Sequence, residues 1–254
     1  MNYEQITYEK VERIAYITLN RPDSLNALDS TMNEELKCAL SDFDLDPDVW
    51  VAILAGNGRS FCAGADQRVM GQGSPTSSRP EYHFLSHPVN WKPVIAAVQG
   101  HCYGLGLSLA AECDIIVATE DAAFCLIETR RGMLPIEIYA HLTAWMGSKT
   151  LTEMVITADP LRANEAHRLG LVNQLVSTLD ELRPAAEALA RRILQNPPLP
   201  VRTAIQLSRT VALQSEMYRE AELLYRNTRW RDWDDYREGM AALREKRPPQ
   251  FTGR

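Results

Sequence analysis

The sequence predicts an α/β fold, with repeated strand–strand–helix units through about residue 180 and a helical C-terminal region beyond. Three observations carry this. Short β-branched runs at Ile14–Leu19, Val49–Leu54, Val94–Val98 and Ile115–Ala118 read as strands. Small-residue turns follow two strand-like segments, at Ser60–Asp66 and Gly100–Gly106. After Asp180, apolar residues recur at helical spacing.

Taken in order, Ile6–Val11 and Ile14–Leu19 form a hairpin, and 20–24 is a loop. A helix begins near Asp29–Thr31, where Thr31 and Glu34 fit a capping box; Met32, Leu36, Leu40 and Phe43 share one face, and Asp46-Pro47 ends it. Val49–Leu54 is a buried strand and Gly56-Asn57-Gly58 a turn. The stretch Gly71–Ser78 reads equally as a surface loop or as a lid between the two small-residue turns. Val94–Val98 is a second buried strand, Gly100–Gly106 a loop leading into a short helix, and Ile115–Ala118 a third strand. Leu182–Leu194 is helical and Asn196-Pro197-Pro198 breaks it. Further helices run to about Lys246, carrying Leu223, Leu224, Trp230, Trp233, Met240 and Leu243.

The 254 residues suffice for a full core in one or two domains. A net charge of −6 weighs against nucleic acid or an anionic membrane as partner. No apolar run approaches the roughly 18 residues of a membrane span, and the N-terminal residues carry no signal-peptide pattern. The cysteine count is 5, an odd number without a Cys-x-x-Cys pair, so reduced thiols and a cytoplasmic location are expected. The histidines, His83, His87, His101, His141 and His167, lack metal-ligand spacing, and no metal is expected. A serine-hydrolase elbow is absent from the sequence, and Gly104-x-Gly106 lacks the third glycine of a dinucleotide fingerprint.

Chemistry enters with the two turns. Ser60-Phe61-Cys62-Ala63-Gly64-Ala65-Asp66 and Gly100-His101-Cys102-Tyr103-Gly104-Leu105-Gly106 put small residues where the chain turns. Such residues leave backbone N–H groups open to a ligand. Two N–H groups aimed at one carbonyl oxygen would stabilise negative charge there, each worth roughly 2.7–4 kcal/mol of barrier.

Further motifs fall in order along the chain: Leu19-Asn20-Arg21-Pro22 with Leu25-Asn26-Ala27-Leu28; Phe61 to Asp66; Lys92 to Gly100 with Tyr103-Gly104-Leu105-Gly106 and Cys113-Asp114-Ile115; and Ala163-Asn164-Glu165-Ala166 with Leu169-Gly170-Leu171-Val172. This ordered set resembles the enoyl-CoA hydratase/isomerase (crotonase) superfamily over nearly the whole chain. The resemblance implies a spiral core at 1–195 and a helical trimerisation region at 196–254. It implies homotrimers, or hexamers made of two trimers. The substrate implied is an acyl-CoA thioester, with no cofactor beyond that CoA. Ala65 and Leu105 would be the two oxyanion donors; many relatives have glycine at the second. Arg21, Leu25, Asn26, Ala63, Asp66, Gln67, Arg68, Tyr103, Pro135, Ile136 and Lys246 would line the substrate, with Arg21, Arg68 and Lys246 suited to CoA phosphates.

Hydratases of the family hold water with two glutamates. By position, Ser108 stands at the first and Glu128 at the second. Glu128 reads as the proton-transfer residue, against the alternative of a surface carboxylate or a salt bridge to Arg130 or Arg131. Ser108 reads as an orienting hydroxyl or as a helix serine bonded to a backbone carbonyl. Bulky Leu134–Tyr139 replaces a glycine-rich family segment and adds Glu137, a replacement acid or a solvated helix-start residue. A hydratase-type lyase is expected, with isomerisation by one glutamate, carbon–carbon cleavage and a non-catalytic binding homologue as alternatives.

Overall fold

The computed structural model describes residues 3–66, 91–135, 138, 139, 142, 143, 145–213 and 232–252. Gln67, Arg68, the 71–78 stretch, His83, His87, Ile136, Glu137, His141, Leu223, Leu224 and Trp230 lie outside them.

Strands β1 (Ile6–Val11) and β2 (Ile14–Leu19) form the expected antiparallel hairpin, with Ile6 opposite Leu19. β3 (Val51–Gly56), β4 (Val94–Val98), β5 (His101–Tyr103), β6 (Ile115–Thr119), β7 (Ala123–Cys125), β8 (Leu161–Arg162) and β9 (Gln174–Val176) follow. They make a six-stranded sheet ordered β1-β2-β3-β4-β6-β9, parallel from β2 onward, and a small sheet ordered β5-β7-β8.

Alternation along the central strands feeds two layers. Val51, Ile53, Ile95, Ala97 and Val117 meet Leu182, Ala186 and Ala190 of the helix at Leu179–Leu194. Ala52, Leu54, Val94, Ala96 and Val98 face the opposite way. There they join Met32, Leu36, Leu40 and Phe43 of α1 (Ser30–Leu45) and Leu107, Ala110 and Ala111 of α2 (Leu105–Glu112). Each large side chain buried this way contributes roughly 1.5–3 kcal/mol.

Two local expectations change. The N-cap of α1 is Asp29 rather than Thr31; its Oδ1 accepts the Met32 N–H at 3.0 Å. Asp29 Oδ2 also takes the Gln5 amide at 3.1 Å, so partners from elsewhere in the chain help fix the cap. The second correction lies inside the supposed Gly100–Gly106 loop. It contains β5, because β7 supplies parallel partners that local sequence does not reveal.

The remaining helices are α3 (Ser148–Thr157), α4 (Ala163–Arg168), α5 (Leu179–Leu194), α6 (Pro198–Leu213) and α7 (Asp234–Glu245). α6 is pinned to the core by Arg209, whose Nη2 lies 2.6 Å from Asp114 Oδ2, and by Arg202 at 3.3 Å from Asp44. α7 packs over the 3-10 turn Glu128–Arg131. Among the described residues no helix is long and apolar enough to cross a membrane.

Candidate active site

The two small-residue turns meet. Cys62 and Cys102 form an isolated parallel bridge: Cys62 N–H donates to His101 O at 3.0 Å, and Tyr103 N–H donates to Cys62 O at 3.0 Å. The other edge of the first turn is laced to the loop before α1. Ala63 N–H donates to Leu25 O at 3.0 Å, Leu28 N–H to Gly64 O at 2.8 Å, and Asp66 N–H to Leu28 O at 2.8 Å. The residue between the last two bonds directs its own N–H to the opposite side. That residue is Ala65, so its N–H points away from Leu28. Gly64, at φ +100, faces the second turn; a Cβ there would stand 2.9 Å from Tyr103 O and 3.7 Å from Leu105 N.

The second turn ends at the N-terminus of α2. Gly104 spends its N–H on Cys125 O at 2.8 Å. Leu105 then opens a helix with no side-chain cap and no acid in its first turn. The first-turn N–H groups have no acceptor within the helix and carry its partial positive charge. An oxygen placed there and in reach of Ala65 would be stabilised as it gained negative charge.

A frame holds this cradle. Leu25 (φ 51) and Asn26 (φ 54) are both left-handed, a conformation costing about 1–3 kcal/mol per residue. Asn26 is fully buried and offsets that cost: Oδ1 accepts the Arg21 N–H at 2.8 Å, and Nδ2 donates to Asn57 O and Ser60 O, both at 2.9 Å. Arg21 grips Asp66 at 3.0 Å, Asp29 at 3.1 Å and the Ala27 carbonyl at 2.6 Å. Arg21, Leu25, Asn26, Ala63 and Asp66 therefore converge around Ala65, with the Arg21 guanidinium held by carboxylates.

Glu128 begins the 3-10 turn. Gly104 sits at φ +52, and a Cβ on it would overlap Glu128 Oε1. The carboxyl thus lies directly on the glycine that precedes Leu105. Its Oε2 is buried and has no hydrogen-bond partner. Burial pushes its pKa up to about 7, against the smaller opposing pull of its own backbone N–H and of Arg131. Neither salt bridge considered from sequence forms: Arg130 pairs with Asp159 at 2.7 Å, and Glu128 has no ion pair among the described residues. A carboxyl poised near neutrality can both take and return a proton.

Ser108 is 4% exposed on α2, four residues after Gly104 and so above it on one face. Its N–H donates to Gly104 O at 3.0 Å, while its hydroxyl bonds to none of the described residues. Tyr103 is half-buried, edge-on to His101 at 4.8 Å. Pro135 is buried, with its carbonyl accepting the Tyr139 N–H at 2.7 Å. Lys246 is exposed at the C-cap of α7. Two participants escaped sequence reading. Cys125 contributes only a carbonyl, which leaves no side-chain signal. Arg131 was visible three residues after Glu128 but only as a salt-bridge alternative.

A mostly parallel sheet feeding a two-loop N–H cradle, with a buried carboxyl beside it, defines an enzyme class that works on acyl-CoA thioesters. The comparisons agree. Residues 9–254 match the family described as enoyl-CoA hydratase/isomerase, and the chain belongs to that family. It is 35% identical over 266 residues to a probable enoyl-CoA hydratase of Mycobacterium leprae, covering 100% of both chains. It is 33% identical to (E)-benzylidenesuccinyl-CoA hydratase of Thauera aromatica, covering 98% of this chain and 99% of that one. The crystal structure of carnitinyl-CoA hydratase from Mycobacterium avium superposes with a TM-score of 0.88 at 30% identity, covering 100% of both chains. The protein is an acyl-CoA-processing enzyme with the crotonase fold.

Proposed function

We propose that this enzyme adds water across the double bond of an enoyl-CoA, using Glu128 as its single proton-transfer carboxyl. The observation that carries the reading is the unpartnered Glu128 carboxyl lying on Gly104, next to the N-terminus of α2. In this reading the Ala65 and Leu105 N–H groups receive the thioester oxygen. Ser108 orients a water. Glu128 takes one proton from that water as its oxygen bonds to the β-carbon, and the electron pair of the double bond moves onto the thioester oxygen as an enolate. The enolate then collapses, and the α-carbon takes the proton back from Glu128. The N–H donors contribute because they meet the enolate more strongly than the ground-state carbonyl.

The test is a panel of enoyl-CoAs incubated in deuterated water with products read by mass. A gain of one water supports hydration. Deuterium at carbon without added oxygen points to isomerisation, and the hydration reading falls.

A homotrimer or a hexamer of two trimers is the assembly we propose, with 196–254 in its contacts. Exposed Leu199, Leu207, Trp233 and Phe251 in that region support it. A cytoplasmic location is supported by five free thiols, four of them buried. Sedimentation that returns a monomer would remove the assembly proposal.

A further inference from the structure

Four arginines among the described residues are withdrawn from solvent: Arg21, Arg131, Arg202 and Arg209. Three are answered by carboxylates, Arg21 by Asp66 at 3.0 Å, Arg202 by Asp44 at 3.3 Å and Arg209 by Asp114 at 2.6 Å. Arg131 is the exception. It has neither an ion pair nor a side-chain hydrogen bond among the described residues. Its main chain is nevertheless fixed, since Gly239 of α7 packs so closely that a Cβ there would overlap the Arg131 carbonyl.

The groups whose charge reaches Arg131 are Glu128 and Cys125. Both flank Gly104: Glu128 Oε1 lies against its Cα, and the Cys125 carbonyl takes its N–H. The guanidinium is therefore on the acid–base side of the site. A half-buried cation with no counter-charge is costly to keep. Pairing it with Glu128 would hold that carboxyl ionised and deprive it of the proton it must return. The arrangement leaves a planar, permanently charged fork open beside the reacting carbons. Such a fork matches a carboxylate bidentately.

We propose that Arg131 is the specificity residue of this site, and that the acyl group it selects carries a second carboxylate, which the guanidinium pairs. This rests on the acyl-CoA reading above. The CoA phosphates are the other anions the ligand brings, but they are common to every thioester. A preference between two acyl groups therefore isolates the carboxylate.

The test uses the full-length protein and saturated thioesters that cannot be hydrated, in matched pairs: succinyl-CoA against butyryl-CoA, and adipyl-CoA against hexanoyl-CoA. Calorimetry on the wild type should show tighter binding of the carboxylated member in at least one pair, by roughly 10–100-fold. Arg131→Met should lose that preference while still binding the neutral member as the wild type does. Arg131→Lys should keep part of it, and serves if the methionine variant does not fold. No carboxylate preference in the wild type would overturn the proposal. So would equal weakening of both members in the variants, the mark of a phosphate contact or a structural role. If none of the four thioesters binds the wild type, the acyl-CoA reading itself fails, an outcome distinct from losing the carboxylate preference.

Discussion

The cradle around Ala65 and the turn at Glu128 meet across one glycine, Gly104, yet they are held by opposite means. The cradle is laced by main-chain hydrogen bonds of 2.8–3.0 Å from Ala63, Leu28, Asp66, Cys62 and Tyr103, with Asn26 locking the loop beneath. Its donors are backbone groups, so side-chain identity matters little; leucine at 105 leaves the N–H where glycine would. The Glu128 turn instead leaves a side-chain oxygen buried without a partner. Main-chain satisfaction gives the cradle rigidity, whereas the unsatisfied carboxyl gives the turn its proton affinity. Function on one side depends on shape and on the other on a single side chain.

The contrast is broken most severely by Glu128→Gln. Turnover should fall about 10³-fold or more while acyl-CoA binding stays near wild type, as stopped-flow kinetics and calorimetry would read. Near-normal turnover would remove Glu128 from the chemistry.

The same variant sharpens the energetic side. The Glu128 pKa is raised in the folded state from 4.5 to about 7. Across that window the folded protein binds more protons than the unfolded chain, so this group destabilises increasingly as pH rises from about 4.5 to 7. The loss amounts to about 3 kcal/mol by neutrality. Thermal melts of wild type and Glu128→Gln should therefore diverge with rising pH, in favour of the variant. Parallel curves would contradict the burial of the carboxyl.

Gly104→Ala tests the hinge between the regions. The added Cβ strains a left-handed residue and displaces Glu128 Oε1. Turnover should drop about 100-fold, with a stability cost of about 1–3 kcal/mol. An active, unshifted variant would separate the two regions. Ser108→Ala is the mildest. Loss of an orienting hydroxyl should reduce kcat about 10-fold with little change in KM or melting temperature. A melting temperature that falls while kcat holds would return Ser108 to a structural role.

Much of this was legible beforehand because local pattern and burial coincide. The β4 limits match their β-branched run, and Met32, Leu36, Leu40 and Phe43 line the buried face of α1 as their spacing predicts. β5 was not legible, since its partner β7 lies beyond an intervening helix and strand. Nor was the N-cap of α1, where Thr31 fits the local rule but Asp29 also answers Arg21 and Gln5. At the site, Glu128 and Ser108 could be singled out by motif. The solvation of Glu128 could not, because it depends on Gly104 and the absence of an ion pair.

By itself the sequence determined the strand and helix segments, the two small-residue turns and the carboxyl suited to proton transfer. Each of those is written in local periodicity, glycine placement or motif order. Only the tertiary structure decided that Asn26 and Arg21 clamp the cradle, that Glu128 is buried without a partner and that Arg131 stands unpaired beside it. Those facts concern which polar groups find partners. Partners far apart in the chain are brought together, or kept apart, by the packing of the whole.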